Sequence, residues 1–208
     1  TREEVQLSSN GTVDPPGLVW SSDRKTLLGV LYEDGIPYWD WVAPDHPEAR
    51  AYAGLVKAFA GKAVSFLRPS EDGRLLAMRV YSDKQPPEAF LYDRETKKAT
   101  YLAGSMDWIK SKDMSPMQPI SFKARDGLQL HGYLTLPVDS DGKNLPMIVN
   151  PHGGPHGPRD EWGFNPEVQL LANRGYAVLQ VNFRGSGGYG NEFEGLGYDP
   201  FTRRVERN

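Results

Sequence analysis

The first half of the chain alternates short hydrophobic runs with charged or turn-forming stretches, a pattern typical of antiparallel strands. Four such runs follow one another at a spacing of about 8–12 residues, and they comprise residues 63–69, 75–82, 89–93 and 99–103. A meander of this kind has the size of one blade of a β-propeller. Residues 18–42 offer further strand–turn–strand material upstream.

One helix is predicted between these strands, from about residue 46 to residue 60. Its apolar positions recur at i, i+3, i+4 and i+7, and they are Tyr52, Leu55, Val56 and Phe59. We expect Asp45 to cap the helix, with Glu48 completing a capping box, and Gly61 to end it. The apolar stripe predicts packing against a sheet.

The pattern changes after the proline-containing stretch 111–119, so we place a domain boundary between residues 115 and 116. Alternating residues on both sides of Asp126 and Gly127 predict a hairpin. Residues 146–150 and 176–183 are apolar without alternation, which predicts two fully buried strands.

A helix is predicted between those two strands, over about residues 166–174, with Asn165 as its N-cap and Gly175 just after its end. The order strand, helix, strand is typical of a parallel sheet that is covered on both faces. The predicted fold class is therefore β followed by α/β, with residues 1–115 in the first domain and 116–208 in the second.

Composition excludes several classes of function. With 24 Lys and Arg against 27 Asp and Glu, the net charge of -3 gives no reason to expect nucleic acid as a partner. No apolar window approaches the length of a membrane helix, so no membrane partner is expected. The chain has 0 cysteines, which excludes disulfides, thiolate catalysis and cysteine-based zinc sites but fits either a reducing or an oxidising compartment.

The unusual segment is the loop of residues 150–164, NPHGGPHGPRDEWGF, which follows a predicted strand and precedes a helix. The interpretation of its two histidines as a metal site is weak. His152 and His156 have the i, i+4 spacing of a metal pair, but Gly153, Gly154 and Pro155 disfavour the helix which that pair requires. Another, purely structural interpretation assigns the glycines to tight turns.

A second glycine segment, residues 185–190, satisfies the dinucleotide-binding pattern G-x-G-x-x-G after a predicted strand. The pattern alone is weak, because the chain has only 18 residues after Gly190 in which to show the second strand and its acidic residue. We therefore expect no cofactor and no metal.

The remaining interpretation of the loop is an oxyanion hole. In an α/β-hydrolase, the loop after an early central strand directs a backbone N–H toward the negative oxygen of a tetrahedral intermediate. Gly153 and Gly154 would leave room for the substrate carbonyl, because neither has a Cβ.

The segments VNPHGGPHGP and RGYAVLQVNFRGSGGYG resemble the start of the hydrolase domain in the prolyl oligopeptidase family of serine peptidases, in particular its acylaminoacyl-peptidase and dipeptidyl-peptidase-like branch. PISFKARDGLQLHGYLTLP is similar to the strand pair that leads into that domain, and the first half is similar to the last part of the propeller. The resemblance covers about residues 18–190. It implies the C-terminal part of a β-propeller followed by an incomplete α/β-hydrolase domain, and peptide cleavage by acyl transfer.

Carried over residue by residue, the resemblance places Gly153 and Gly154 in the oxyanion loop. His152 stands where some relatives have a tyrosine donor, which favours a backbone donor here. Arg184 resembles a structural anchor of the following loop, and an ordinary surface arginine is the alternative.

The catalytic triad is not visible in this sequence. No G-x-S-x-G occurs, and Ser105 and Ser186 lie outside any nucleophile elbow. The order Ser, acid, His of this fold makes the four histidines, His46, His131, His152 and His156, too early for the general base. We therefore expect the nucleophile, acid and histidine beyond Asn208, and we expect this chain alone to be inactive.

Two functions remain open at the level of sequence. The first is a serine peptidase that acts on peptides, with this chain contributing the oxyanion loop. The alternative is a non-catalytic binding or interaction module built on a propeller fragment. In either case, a partly built parallel sheet predicts self-association through exposed apolar residues.

Overall fold

A computed structural model describes residues 5–154 and 156–198 of the chain. It divides into two compact units. The first comprises residues 1–80 and 88–103, and the second comprises residues 81–87 and 104–208. In the described residues, no helix is both long enough and apolar enough to cross a membrane.

Two sheets form the first unit. One has three strands in the order β1 (Gly17–Trp20), β2 (Leu27–Tyr32) and β3 (Tyr38–Asp40), which pair antiparallel. The other is the predicted meander, in the order β4 (Ala63–Pro69), β5 (Leu75–Tyr81), β6 (Glu88–Asp93) and β7 (Lys98–Gly104). The strand bounds predicted from the sequence are confirmed to within one residue for these four strands.

The predicted helix is α1 (Pro47–Ala58), but its predicted cap is wrong. His46 is the N-cap, because its ring Nδ1 accepts the hydrogen bond from the Glu48 amide. Glu48 does not close a capping box: its carboxylate accepts from the backbone N–H and hydroxyl of Ser22 and pairs with Arg94 at 2.9 Å. The ion pair and the serine draw the carboxylate away from its own helix end.

The first unit has a core of aliphatic and aromatic side chains. Leu28 and Leu76 are fully buried, and Tyr52 of α1 stacks on Phe66 of β4 with 4.6 Å between ring centroids. Burial raises the pKa of the Tyr52 hydroxyl above its usual value. This core accounts for the amphipathic pattern that the sequence shows in the helix and strands.

The second unit contains a four-stranded mixed sheet. Its order is β10 (Met147–Val149), β11 (Ala177–Asn182), β9 (Gln129–Thr135) and β8 (Met117–Lys123). Strands β10 and β11 are parallel, whereas β11 with β9 and β9 with β8 are antiparallel. The predicted hairpin at Gly127 is present, and this glycine has the positive φ of 89° that the turn requires.

One expectation for this sheet is wrong. The strand β10 is not fully buried, since Met147 and Val149 are 56% and 59% exposed. Side chains alternate along a strand, so these two residues lie on the face opposite Ile148. The sheet is therefore mixed, and it is not covered on both faces at β10.

The remaining helices of the second unit are α2 (Pro166–Ala172), α3 (Gly190–Gly195) and a 3-10 turn at Ser111–Asp113. The predicted cap of α2 is confirmed, because the Asn165 side chain accepts from the amides of Glu167 and Val168. Residues 104–115 lie in the second unit, and the domain boundary between residues 115 and 116 stays a prediction.

Candidate oxyanion site

Two loops of the second unit lie side by side at the ends of β10 and β11. We call residues 150–160 the glycine loop and residues 183–190 the return loop. Their backbones pair, because the Gly157 amide donates to the Gly185 carbonyl and the Gly187 amide donates to the Gly157 carbonyl, both at 3.1 Å. Of the glycine loop, Pro155 lies outside the described residues. The pairing fixes the downstream part of the glycine loop.

His152 fixes the upstream part of the glycine loop. Its Nδ1 lies 2.9 Å from the carbonyl oxygen of Gly153, and its Nε2 lies 2.9 Å from the hydroxyl of Ser186 in the return loop. The imidazole also stacks on Phe183, with 4.4 Å between ring centroids. The His152 ring is therefore held by two hydrogen bonds and by stacking on Phe183.

The hydrogen bond to Gly153 determines which way the next amide points. A carbonyl oxygen can only accept, so Nδ1 carries the proton and donates to it. The chain has no cis peptide bond among the described residues, and in a trans peptide the C=O and the N–H point in opposite directions. Since His152 holds the Gly153 carbonyl on its own side, the Gly154 N–H points away from the imidazole.

The Gly153–Gly154 peptide is open to solvent. Both glycines are exposed, and among the described residues none accepts a hydrogen bond from the Gly154 amide. A Cβ added at Gly153 would meet nothing within 4 Å, and one at Gly154 would approach the His156 amide nitrogen to 3.3 Å. Within the part of the chain that the structure describes, the Gly154 amide thus has no acceptor, and the Cβ position of the neighbouring Gly153 is open.

A second set of contacts holds the far end of the glycine loop to β11. The fully buried Asn182 side chain accepts from the Asp160 amide at 2.7 Å and donates to the Asp160 carbonyl at 3.0 Å. It also donates to the Tyr189 hydroxyl at 2.8 Å. Arg159 donates to the Gly188 carbonyl and lies over the Tyr189 ring. The glycine loop is therefore joined to the return loop through His152, Gly157 and Arg159.

The Asp160 carboxyl lies in a poorly solvated position. Its Oδ1 accepts from Gln180 Nε2 at 2.6 Å, whereas its Oδ2 and the Gln180 Oε1 are buried without a partner among the described residues. Burial raises the pKa of this carboxyl above its usual value, against the lowering effect of the Gln180 hydrogen bond and of His152.

Close backbone approach requires a glycine in the return loop. A Cβ at Gly187 would lie 2.4 Å from the Gly157 carbonyl oxygen, and one at Gly188, where φ is 79°, would meet Arg159 at 2.5 Å. These glycines serve the packing of the two loops. Gly153 differs from them, because neither its φ nor its surroundings within the chain require a glycine.

Arg184 lies at the start of the return loop and pairs with Asp126 of the β8–β9 hairpin at 2.8 Å. The guanidinium is largely buried, with 12% of its side chain exposed, and its hydrogen bond holds the pKa of Asp126 below its usual value. This contact links the return loop to the hairpin. It supports the predicted anchoring role, which stays a prediction.

The contacts of His152 and of the return-loop amides do not favour a metal site or a phosphate site. Both ring nitrogens of His152 already have hydrogen-bond partners. In the return loop, the amides of Gly185, Ser186 and Gly187 donate to carbonyls within the chain, so they are not free to bind a phosphate. A helix does begin at Gly190, but α3 has only 6 residues.

The other serine and histidine candidates have different surroundings. Ser186 is fully buried and contacts His152, His131 stacks on Tyr189, and His46 caps α1 in the first unit. The sequence does not predict the contact of Ser186 with His152 or that of Asn182 with Asp160. The partners lie 34 and 22 positions apart along the chain, respectively. No local pattern marks such contacts.

Comparison with known proteins adds the family. Residues 162–201 match the sequence profile of the prolyl oligopeptidase family. Dipeptidyl aminopeptidase BIII of Pseudoxanthomonas mexicana is 34% identical over 165 residues, which is 76% of this chain and 24% of the relative. The chain matches the prolyl oligopeptidase family and has homologues among its dipeptidyl and acylamino-acid peptidases. It spans about a quarter of the length of this curated relative.

Solved structures of the family show a related fold. An acylaminoacyl peptidase of Pyrococcus horikoshii is 29% identical with a TM-score of 0.50, over 64% of this chain and 20% of that one. A prolyl endopeptidase reaches a TM-score of 0.62 at 14% identity, over 92% of this chain and 27% of that one. The second likeness concerns the fold alone, which is similar to part of that endopeptidase over nearly all of this chain.

Proposed function

We propose that this chain supplies the oxyanion loop of a serine peptidase that hydrolyses peptide bonds by acyl transfer. The observation that carries the proposal is the exposed Gly154 amide, whose direction is set by the hydrogen bond between His152 and the Gly153 carbonyl. A donor fixed in advance, beside space for a substrate, is what stabilises a developing oxyanion.

The chemical step divides between this chain and residues proposed to lie beyond Asn208. There, a serine attacks the carbonyl carbon of the peptide, a histidine takes its proton, and an acid orients the histidine. Here, the Gly154 N–H stabilises the negative oxygen of the tetrahedral intermediate. Acyl transfer of this type requires no cofactor.

The fold of the relatives supports a finer assignment. We assign residues 1–115 to the last blades of a β-propeller and residues 116–208 to the start of an α/β-hydrolase domain. The antiparallel meander β4–β7 has the size of one propeller blade, and the parallel pair β10–β11 joined through α2 is the beginning of a hydrolase sheet.

The test uses the full-length protein with peptide anilides as substrates and a fluorophosphonate as an active-serine probe. We expect turnover and stoichiometric labelling in the wild type. Gly154→Val should lower kcat at least about 100-fold, the size of effect seen when one oxyanion donor is lost. Gly195→Val is the matched control, because a Cβ at this exposed glycine of α3 meets nothing within 4 Å. A Gly154→Val variant with wild-type turnover would contradict the proposal.

The same probe tests the chain itself. The 208-residue chain should show no mass increase with the fluorophosphonate, and an adduct on this chain would mean that one of its own serines is activated. A full-length protein that neither turns over peptides nor takes the label would favour the binding module instead.

Self-association of the 208-residue chain is a separate part of the proposal. Met147 and Val149 expose apolar side chains on β10, an edge strand of the sheet. Sedimentation should show oligomers, and a monomeric chain that melts sharply would contradict this part.

A further inference from the structure

We propose that Ser186 is a positioning residue of the oxyanion loop, which acts through His152 on the Gly154 amide. This inference rests on the proposed function. The residues form a chain of contacts: the Ser186 hydroxyl touches His152 Nε2, and His152 Nδ1 touches the carbonyl of Gly153. That carbonyl belongs to the same peptide unit as the Gly154 N–H.

The polarity of these hydrogen bonds assigns a role to each atom. Because Nδ1 donates to the Gly153 carbonyl, Nε2 of the neutral imidazole has only a lone pair to offer. The Ser186 hydroxyl is therefore the donor, and its hydrogen bond selects the tautomer that keeps the proton on Nδ1. Without Ser186, the other tautomer would place a lone pair on Nδ1 against the carbonyl oxygen, and the contact with Gly153 would be lost.

Ser186 is well suited to hold a ring in place. Its side chain is fully buried, so water does not compete for the hydroxyl. Its amide donates to the Phe183 carbonyl, and its neighbours on both sides pair with Gly157. The hydroxyl thus stands on a backbone fixed at three points. The same burial keeps Ser186 away from any substrate, so it is not a nucleophile.

Loss of the Ser186 hydroxyl should change the direction of the Gly154 N–H more than the stability of the protein. Rotation of the Gly153–Gly154 peptide moves the amide hydrogen away from the oxyanion, which forms only in the transition state. Loss of Ser186 should therefore lower kcat and leave KM nearly unchanged.

The main experiment compares Ser186→Ala with Ser115→Ala in the full-length protein. Both serines are almost fully buried in the second unit, at 0% and 2% exposure, but the Ser115 hydroxyl has no part in the glycine loop. We expect Ser186→Ala to lower kcat about 10- to 100-fold with KM within about twofold, because a misdirected donor loses part of its contribution. Ser115→Ala should keep both values. Unchanged kcat in Ser186→Ala would overturn the proposal.

A second pair of variants keeps the proposal testable if Ser186→Ala fails to fold. In His152→Asn, the amide nitrogen takes the place of Nδ1, so the contact with Gly153 can remain while that with Ser186 is lost. In His152→Gln, the amide reaches the place of Nε2, and the contact with Gly153 is lost. We expect His152→Asn to keep more kcat than His152→Gln. The reverse order would overturn the proposal.

A structural readout separates this inference from the proposed function. Hydrogen exchange of the peptide that covers residues 150–157 should be faster in Ser186→Ala than in the wild type and unchanged in Ser115→Ala. If the wild-type protein has no peptidase activity, the proposed function fails, and faster exchange would still show that Ser186 holds the loop. If the wild type is active but exchange and kcat are unchanged in Ser186→Ala, the inference alone fails.

Discussion

The contacts that stabilise the first unit differ in kind from those that stabilise the candidate site of the second unit. The core of the first unit is apolar and aromatic, with Leu28, Tyr52 and Leu76 buried among neighbours on adjacent elements. The glycine loop of the second unit is joined to β11 and to the return loop by directional polar contacts between residues 22 to 34 positions apart. Apolar packing contributes mainly to stability, whereas directional contacts also set where a single amide points.

The largest effect should come from the apolar core. Leu76→Ala should lower the free energy of unfolding by about 2–5 kcal/mol, because it leaves a cavity in a fully buried position. Leu67→Ala in the same sheet is the control, since Leu67 is 57% exposed and its loss should cost less than about 0.5 kcal/mol. Urea denaturation gives both values, and equal effects would contradict the assigned core.

The next effect tests the close approach of the two loops. Gly187→Ala should destabilise the protein by about 1–3 kcal/mol, because its Cβ would overlap the Gly157 carbonyl, which is backbone and cannot turn aside. Gly153→Ala should leave the free energy of unfolding within about 0.5 kcal/mol of the wild type. If Gly153→Ala also lowers kcat in the full-length protein, the open side of Gly153 faces the substrate. Equal destabilisation by both variants would show that the loops are not packed as described.

A further effect tests the buried polar contact at β11. Asn182→Ala should cost about 1–3 kcal/mol, because it leaves the amide and carbonyl of Asp160 without their partner. Asn191→Ala, at an exposed position of α3, should have little effect. A neutral Asn182→Ala would mean that water replaces the carboxamide there.

The smallest effect concerns pH, and two carboxyls should act in opposite directions. The folded-state pKa of Asp160 lies above its usual value of 3.8, so the protein should lose stability as the pH rises from about 3.8 through the folded pKa. Asp160→Asn should remove that loss and raise the Tm at neutral pH.

The pKa of Asp126 lies below 3.8, so its contribution to stability is present above this pH and disappears as the pH falls. Asp126→Asn should weaken the protein at neutral pH and reduce its acid sensitivity. Thermal melts between pH 2 and pH 7 check both signs, and a shift of the same sign in both variants would contradict the assignment.

The two regions also differ in how far the sequence predicted them. Strands β4 to β7 were predicted to within one residue, because alternation and turn residues are local signals that the core reinforces. The cap of α2 was predicted for the same reason, since Asn165 bonds to amides only 2 and 3 positions away.

The errors fall where distant residues decide. The cap of α1 was wrong because Ser22 and Arg94 hold the Glu48 carboxylate. The exposure of Met147 and Val149 was missed because an apolar run does not reveal which of its faces is covered. At the site, the sequence predicted the glycines of the loop, and neither Ser186 nor the direction of the Gly154 amide could follow from local pattern.

The most direct test of the oxyanion assignment is a crystal structure of the full-length protein after reaction with a peptidyl phosphonate, whose phosphoryl oxygen stands in for the oxyanion. We expect the Gly154 amide nitrogen to lie about 2.7–3.1 Å from that oxygen, with His152 still bonded to the Gly153 carbonyl. A phosphonyl oxygen bound by other donors, with the Gly154 amide turned away from it, would contradict the assignment of the glycine loop.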